Sequence, residues 1–260
     1  MKNKLSGREQ EVYFNLEVGM IYDVNAILNL VHLKKNYLPA VLSSMNRKGW
    51  LTRLKRGVYL VNSPKLKVLT DPFLAATNIF RGYLGFSSAL YIYGAMDEYP
   101  STIFVCTRET SALRSLSGSI EVKAVALGVR ATGEVPFNGY FVSSKAKTLY
   151  DNFYLPEYSG GYSNLIAAIP RLNLDSDDWK MFLFYAKKFG KSGFCRKVGF
   201  LLDTLNSFAS GIVPESVLKG LNFGKQVVKL GNGHNGKFIR KWHVVSYIGE
   251  GDLFGKMGYG

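Results

Sequence analysis

Residues 37–61, YLPAVLSSMNRKGWLTRLKRGVYLV, carry a helical period and then an extended one, joined at a glycine. Leu38, Val41, Leu42 and Met45 recur at i, i+3, i+4 and i+7, the buried stripe of one helix. Pro39 is tolerated only in a first helical turn, so it marks the start, and Gly49 marks the end. Past Gly49, the β-rich runs Trp50–Leu54 and Val58–Val61 flank Lys55-Arg56-Gly57 and predict a hairpin with a basic tip. A helix followed by such a hairpin is the recognition helix and wing of a winged helix-turn-helix.

Upstream, Ser6 and Glu9 have the spacing of a capping box, opening a helix with Val12, Tyr13 and Leu16 inward and Gly19 at its end. Asp23 caps a second helix whose inner face is Val24, Ile27, Leu28 and Val31, and a polar joint runs from His32 to Asn36. The other side of the third helix carries Ala40, Ser43, Ser44 and Arg47, joined by Asn36 and Tyr37. Small and hydroxyl side chains let a helix approach a duplex closely, while Arg47 and Lys48 suit phosphate or a guanine edge. Arg53, Lys55 and Arg56 suit the DNA backbone or the minor groove. No acid occurs between Val24 and Pro64. The expected partner is double-stranded DNA.

Charge distribution agrees. Residues 1–70 hold twelve lysines and arginines against four acids, so this quarter of the chain carries more than half of a net charge of +14. The 260 residues, 47% of them hydrophobic, suffice for one large or two modest domains. Met1-Lys2-Asn3-Lys4 leads into no apolar h-region, and nowhere do about 18 apolar residues run without a charge, so the chain is expected to be cytoplasmic, with no membrane partner. Cys106 and Cys195 form no metal or redox motif and are expected as two buried thiols.

The expected architecture is α+β: a winged helix-turn-helix over 1–66, then a mixed α+β domain over 67–260 with a small sheet. Asp71-Pro72 opens one or two apolar helices reaching residue 96. Ile103–Thr107, Glu121–Leu127 and Tyr140–Ser143 read as strands, Ser115–Ser119 as a turn, and Gly128–Asn138 as a surface loop. Helices are expected over Lys145–Tyr154, Tyr162–Ile169, Asp177–Phe189 and Phe194–Phe208. In the tail, Gln226–Leu230 and Phe238–Ile248 read as a β-hairpin across Gly231-Asn-Gly-His-Asn-Gly236. That glycine run matches G-x-G-x-x-G, but the dinucleotide fingerprint needs a helix after it, and a strand pattern follows, so no cofactor is expected.

No catalytic set stands out, and the chain reads as a non-enzyme. His32, His234 and His243 have no ligand spacing, and Ser87 and Ser88 lack a nucleophile elbow. The alternative is a nuclease or nuclease-derived protein of the PD-(D/E)xK type. Glu121-Val-Lys123 would share one strand face, with Asp97 and Glu98 upstream, though the proline-aspartate element is missing.

Six segments in order resemble the AbiEi family of antitoxins, regulators from abortive-infection (type IV) toxin–antitoxin systems. GWLTRLKRGVYLV from Gly49 is similar to that family's wing. Asp71-Pro-Phe-Leu-Ala-Ala76 and Gly85-Phe-Ser-Ser-Ala-Leu-Tyr-Ile-Tyr-Gly94 resemble its "SSAL…hG" helix, with Tyr93 where relatives often have histidine. Thr102–Thr107 resembles its next strand, Lys147-Thr-Leu-Tyr-Asp151 with Pro156 and Gly160-Gly161 its "KT-x-x-D…P…GG" segment, and Arg196–Asp203 its "R-x-G-x-L-L" helix. The resemblance spans roughly residues 5–210. It implies a repressor that binds an inverted repeat in its own promoter and whose C-terminal domain counteracts a nucleotidyltransferase toxin without needing a stable complex. Lys147 and Asp151 become candidate antitoxin residues, although an i, i+4 pair on a helix also has a purely structural reading. A regulator with no toxin partner is a further alternative.

Overall fold

A computed structural model describes residues 4–63, 71–117, 120–222, 224 and 226–255, and the fold is mixed α+β with eleven α-helices and three sheets among these residues. The expected boundary at 66/67, and Lys65 and Lys67 of the charge count, lie outside the described residues, as do Met1–Asn3.

The N-terminal segment runs α1 (Gly7–Phe14), β1 (Ile21–Asp23), α2 (Val24–Leu30), α3 (Leu38–Arg47), β2 (Leu51–Lys55) and β3 (Val58–Val61). The Glu9 carboxylate accepts from the Ser6 N–H at 2.6 Å, and Asp23 Oδ1 accepts from the Ala26 N–H at 2.8 Å, so both expected helix starts are held by their side chains. α1 ends at Phe14, not at Gly19, which instead takes a positive φ in the turn leading to β1. Strand β1 has no counterpart in the sequence reading. Three residues are too few for a period, and it forms because β3 offers an edge, with Ile21 opposite Leu60 and Asp23 opposite Val58. The sheet order is β1-β3-β2, antiparallel throughout. Leu38, Val41, Leu42 and Met45 are buried with Val12, Leu16, Ile27, Val31 and Leu51 in one core.

The body opens with α4 (Pro72–Ile79), whose first turn is capped by Asp71, and β4 (Tyr83–Leu84) separates it from α5 (Phe86–Ile92). Then come β5 (Thr102–Thr107), β6 (Ala112–Ser117), β7 (Ile120–Ala126), β8 (Glu134–Phe137) and β9 (Tyr140–Ser143). These strands form a six-stranded sheet, order β6-β7-β5-β4-β9-β8, and not the small sheet expected. The additions are short β4 and the two edges. Ser115–Ser117 of the expected turn belong to β6, while residues 118–119 lie outside the described set; part of the expected loop 128–138 is β8. Edge strands with polar or proline-containing sequence lack the hydrophobic alternation that betrays a strand.

Helices α6 (Lys145–Tyr154), α7 (Tyr162–Leu172), α8 (Ser176–Phe189), α9 (Ser192–Phe208) and α10 (Glu215–Leu221) build a second body core. The tail adds β10 (Val228–Leu230), β11 (Lys237–Ile239), β12 (Val244–Ser246) and α11 (Glu250–Phe254). Its two extended runs do not form an antiparallel hairpin across the glycines. β10 lies parallel to β12, and β11 lies antiparallel to β12 on the other side, so residues 231–236 are a crossover. Burial explains the exchange: Val244 is fully buried in the centre, whereas Phe238 is half exposed at the edge.

Candidate nucleic-acid interface

α3 is held at its C-terminal end by its neighbours. Glu9 from α1 is almost wholly buried and takes the Lys48 ammonium at 2.6 Å. Burial opposes its charge, but hydrogen bonds from Lys48, Ser44 and Ser6 outweigh this and lower its pKa to about 2. At the same end, Asn46 Oδ1 accepts from the Arg53 N–H at 2.8 Å, fixing where β2 leaves the helix. Asn62 donates to the Gly49 carbonyl and to Thr52 Oγ1, and its own carbonyl accepts from the Tyr13 hydroxyl. Helix and hairpin therefore share one rigid frame.

The ten nominated residues separate on this frame. Asn36, Tyr37, Ala40, Ser43 and Arg47 are exposed on one side of α3. Ser44 and Lys48 are turned to the flank, where both serve Glu9. Arg53 and Arg56 are exposed on the hairpin and Lys55 is half-buried. Its turn is Arg56-Gly57, and Gly57 has φ +76°, a backbone that favours glycine. Among the described residues, Arg47, Arg53, Lys55 and Arg56 are in no ion pair. A cation kept in water without a carboxylate retains its full attraction for an external anion.

Two basic residues join this surface from outside the quoted stretch. The Arg8 guanidinium of α1 lies 4.8 Å from the Tyr37 ring centroid, over the start of α3. Arg81, from the turn between α4 and β4, is exposed beside the hairpin, and burial first and the Arg81 charge second lower the Lys55 pKa. The sequence marked Arg8 only as one of the basic residues concentrated in the first quarter of the chain, and held no signal for Arg81.

The other nominated pair is internal. Lys147 and Asp151 are completely buried on α6 and meet at 2.5 Å. Lys147 also donates to the Tyr83 hydroxyl at 3.3 Å, and its ammonium lies 5.8, 5.5 and 6.0 Å from the rings of Tyr83, Tyr150 and Tyr185. Burial pushes Asp151 up to about 6 against the pull of Lys147 and Arg130, and its Oδ2 has no hydrogen-bond partner. Neither side chain offers an atom to the surface. Arg196 and Gly199 of the segment on α9 are internal too. Arg196 donates to the Trp242 and Gly224 carbonyls, and a Cβ at Gly199 would strike the Trp242 ring.

The residues of the nuclease alternative are dispersed in function. Glu121 is exposed on β7, Lys123 lies 4.7 Å from the Tyr158 ring centroid, and Asp97 pairs with Arg171 at 2.6 Å. Glu98 lines a cavity of about 280 Å³ with Glu157 and Tyr158. Among the described residues no three His, Cys, Asp or Glu side chains could hold a metal ion. Gly236 leads into β11, not a helix. Cys106 and Cys195 are buried and unpaired, and no described helix is long and apolar enough to cross a membrane.

No family model and no curated protein matches this chain. Among solved structures it is similar to the Rv2827c protein from Mycobacterium tuberculosis, with a TM-score of 0.67 and 14% identity over 95% of this chain and 93% of that one. That likeness extends over both the N-terminal segment and the body, and it is a likeness of fold.

Proposed function

We propose that residues 1–66 are a winged helix-turn-helix domain that binds double-stranded DNA, and that the whole chain is a cytoplasmic transcriptional regulator. The observation that carries this reading is the acid-free, unpaired basic surface formed by the outward side of α3 and the β2–β3 hairpin. Asn36, Tyr37, Ala40, Ser43 and Arg47 would face base edges. Arg53, Lys55, Arg56 and Arg8 would lie on phosphates. Lys48 and Ser44 act one step back, anchoring α3 through Glu9.

The ordered resemblance to AbiEi antitoxins supports a narrower reading: an autoregulating antitoxin on an inverted repeat in its own promoter, with residues 67–260 countering a nucleotidyltransferase toxin. Burial of Lys147 and Asp151 argues that any such effect does not run through direct contact with that pair. The C-terminal hairpin of this reading is β11–β12.

Binding of the purified chain to its own upstream DNA and to a random duplex tests the proposal. Arg47→Ala should cost about 1–3 kcal/mol on the operator alone, as a guanine reader would. Lys55→Ala should weaken both duplexes and flatten the salt dependence by roughly one unit. Equal loss on both duplexes for Arg47→Ala would reject its role in reading sequence.

A further inference from the structure

The hairpin tip does not stand alone. Leu54 is packed against the body core formed by Ile79, Phe80 and their neighbours, and Ile21 of β1 joins it there. Phe80 is the C-cap of α4, so the next residue, Arg81, emerges where the hairpin docks. Gly82 holds that turn in place: a Cβ there would lie 2.1 Å from the Cys106 carbonyl oxygen of β5, so only glycine allows this approach. Tyr83 then enters the sheet opposite Cys106. Arg81 is thus set just before β4, an inner strand of the six-stranded sheet, near a hairpin pinned to the same core.

Charge at this junction is one-sided. Arg53, Lys55 and Arg56 come from the hairpin and Arg81 from the body, and none is in an ion pair among the described residues. Lys55 is half-buried, so water screens its repulsion from Arg81 less than at an open surface. Two like charges held together without a carboxylate are relieved by an anion between them.

From this geometry we infer that Arg81 is a DNA-backbone contact, closing with Lys55 on a single phosphate, so that the body takes part in binding. The inference rests on the DNA-binding reading above and extends it beyond residues 1–66. A bound phosphate at this point would also hold the duplex against the turn that leads into β4, coupling the register of α3 in the groove to the position of the body.

The test uses the full chain and a short random-sequence duplex, with affinity measured by fluorescence anisotropy across a salt series. Arg81→Gln should keep the wild-type melting temperature, since the side chain is exposed, yet bind more weakly with the salt slope reduced by about one. Lys55→Met combined with Arg81→Gln should lose less than the two single changes together, because they share one phosphate. Arg56→Gln serves as the reference for the underlying reading. If Arg56→Gln flattens the slope and Arg81→Gln leaves affinity and slope unchanged, DNA binding stands and the role of Arg81 falls. Additive losses would put the two cations on separate phosphates and overturn the shared site. A wild-type chain that binds no duplex overturns both.

Discussion

Glu9 and Asp151 are both buried carboxylates facing a lysine, and their surroundings drive them in opposite directions. Glu9 receives hydrogen bonds from Lys48, Ser44 and Ser6, so its folded pKa of about 2 lies below its ordinary value of 4.5. Its contribution is therefore present above pH 4.5 and is lost as pH falls toward 2. Glu9→Gln should destabilise the fold by about 1–3 kcal/mol at neutral pH, and thermal melts should show the difference from wild type shrinking across that acid range. Asp151 is raised to about 6 because burial outweighs Lys147, so its contribution declines as pH rises from its ordinary 3.8 through 6. Lys147→Met alone should cost about 3–5 kcal/mol by stranding a buried carboxylate, while Lys147→Met with Asp151→Leu should recover most of it. A double variant that is fully stable but no longer counters a toxin would return the pair to a functional role.

At the scale of elements, α3 has one face committed to the core, one flank committed to Glu9, and one side left for a partner. Ser43 is exposed in the middle of that third side. Ser43→Glu should leave the unfolding free energy within about 0.5 kcal/mol of wild type, yet abolish duplex binding at physiological salt by setting a carboxylate against phosphate. Persistent binding would remove α3 from the interface. The helices and the hairpin here were legible from residues alone, because Leu38-to-Met45 and the runs around Lys55-Arg56-Gly57 each repeat long enough to declare a period. Strands β1, β4, β6 and β8 were not. They are short or lie at edges, and they exist because a neighbour supplies hydrogen bonds, not because of their own side-chain pattern.

Across the whole molecule, the tail beyond residue 210 is a clasp on α9. Trp242 is buried, its indole N–H donates to Asp203 at 2.8 Å, and Lys241 reaches the same carboxylate. Arg196 and Gly199 complete the seat. Trp242→Ala should cost about 3–5 kcal/mol, with earlier proteolysis of residues 226–255 than of the N-terminal segment. Equal protection of both would mean that the tail is held elsewhere. Docking of Leu54 and Ile21 on the body has the opposite sense, since it brings cations together instead of pairing them with carboxylates.

The amino-acid order by itself determined the N-terminal helices, the basic hairpin, the separation of charge from acid, and most body helices. Each of these rests on interactions within a few residues: caps, periodic burial, turn conformations. Only the tertiary structure decided that Lys48 serves Glu9, that Lys147 and Asp151 are sealed inside, that six strands share the body sheet, and that Arg81 stands beside Lys55. Those outcomes depend on which surfaces meet across long sequence separations, where burial and electrostatics are set by neighbours that no local period encodes.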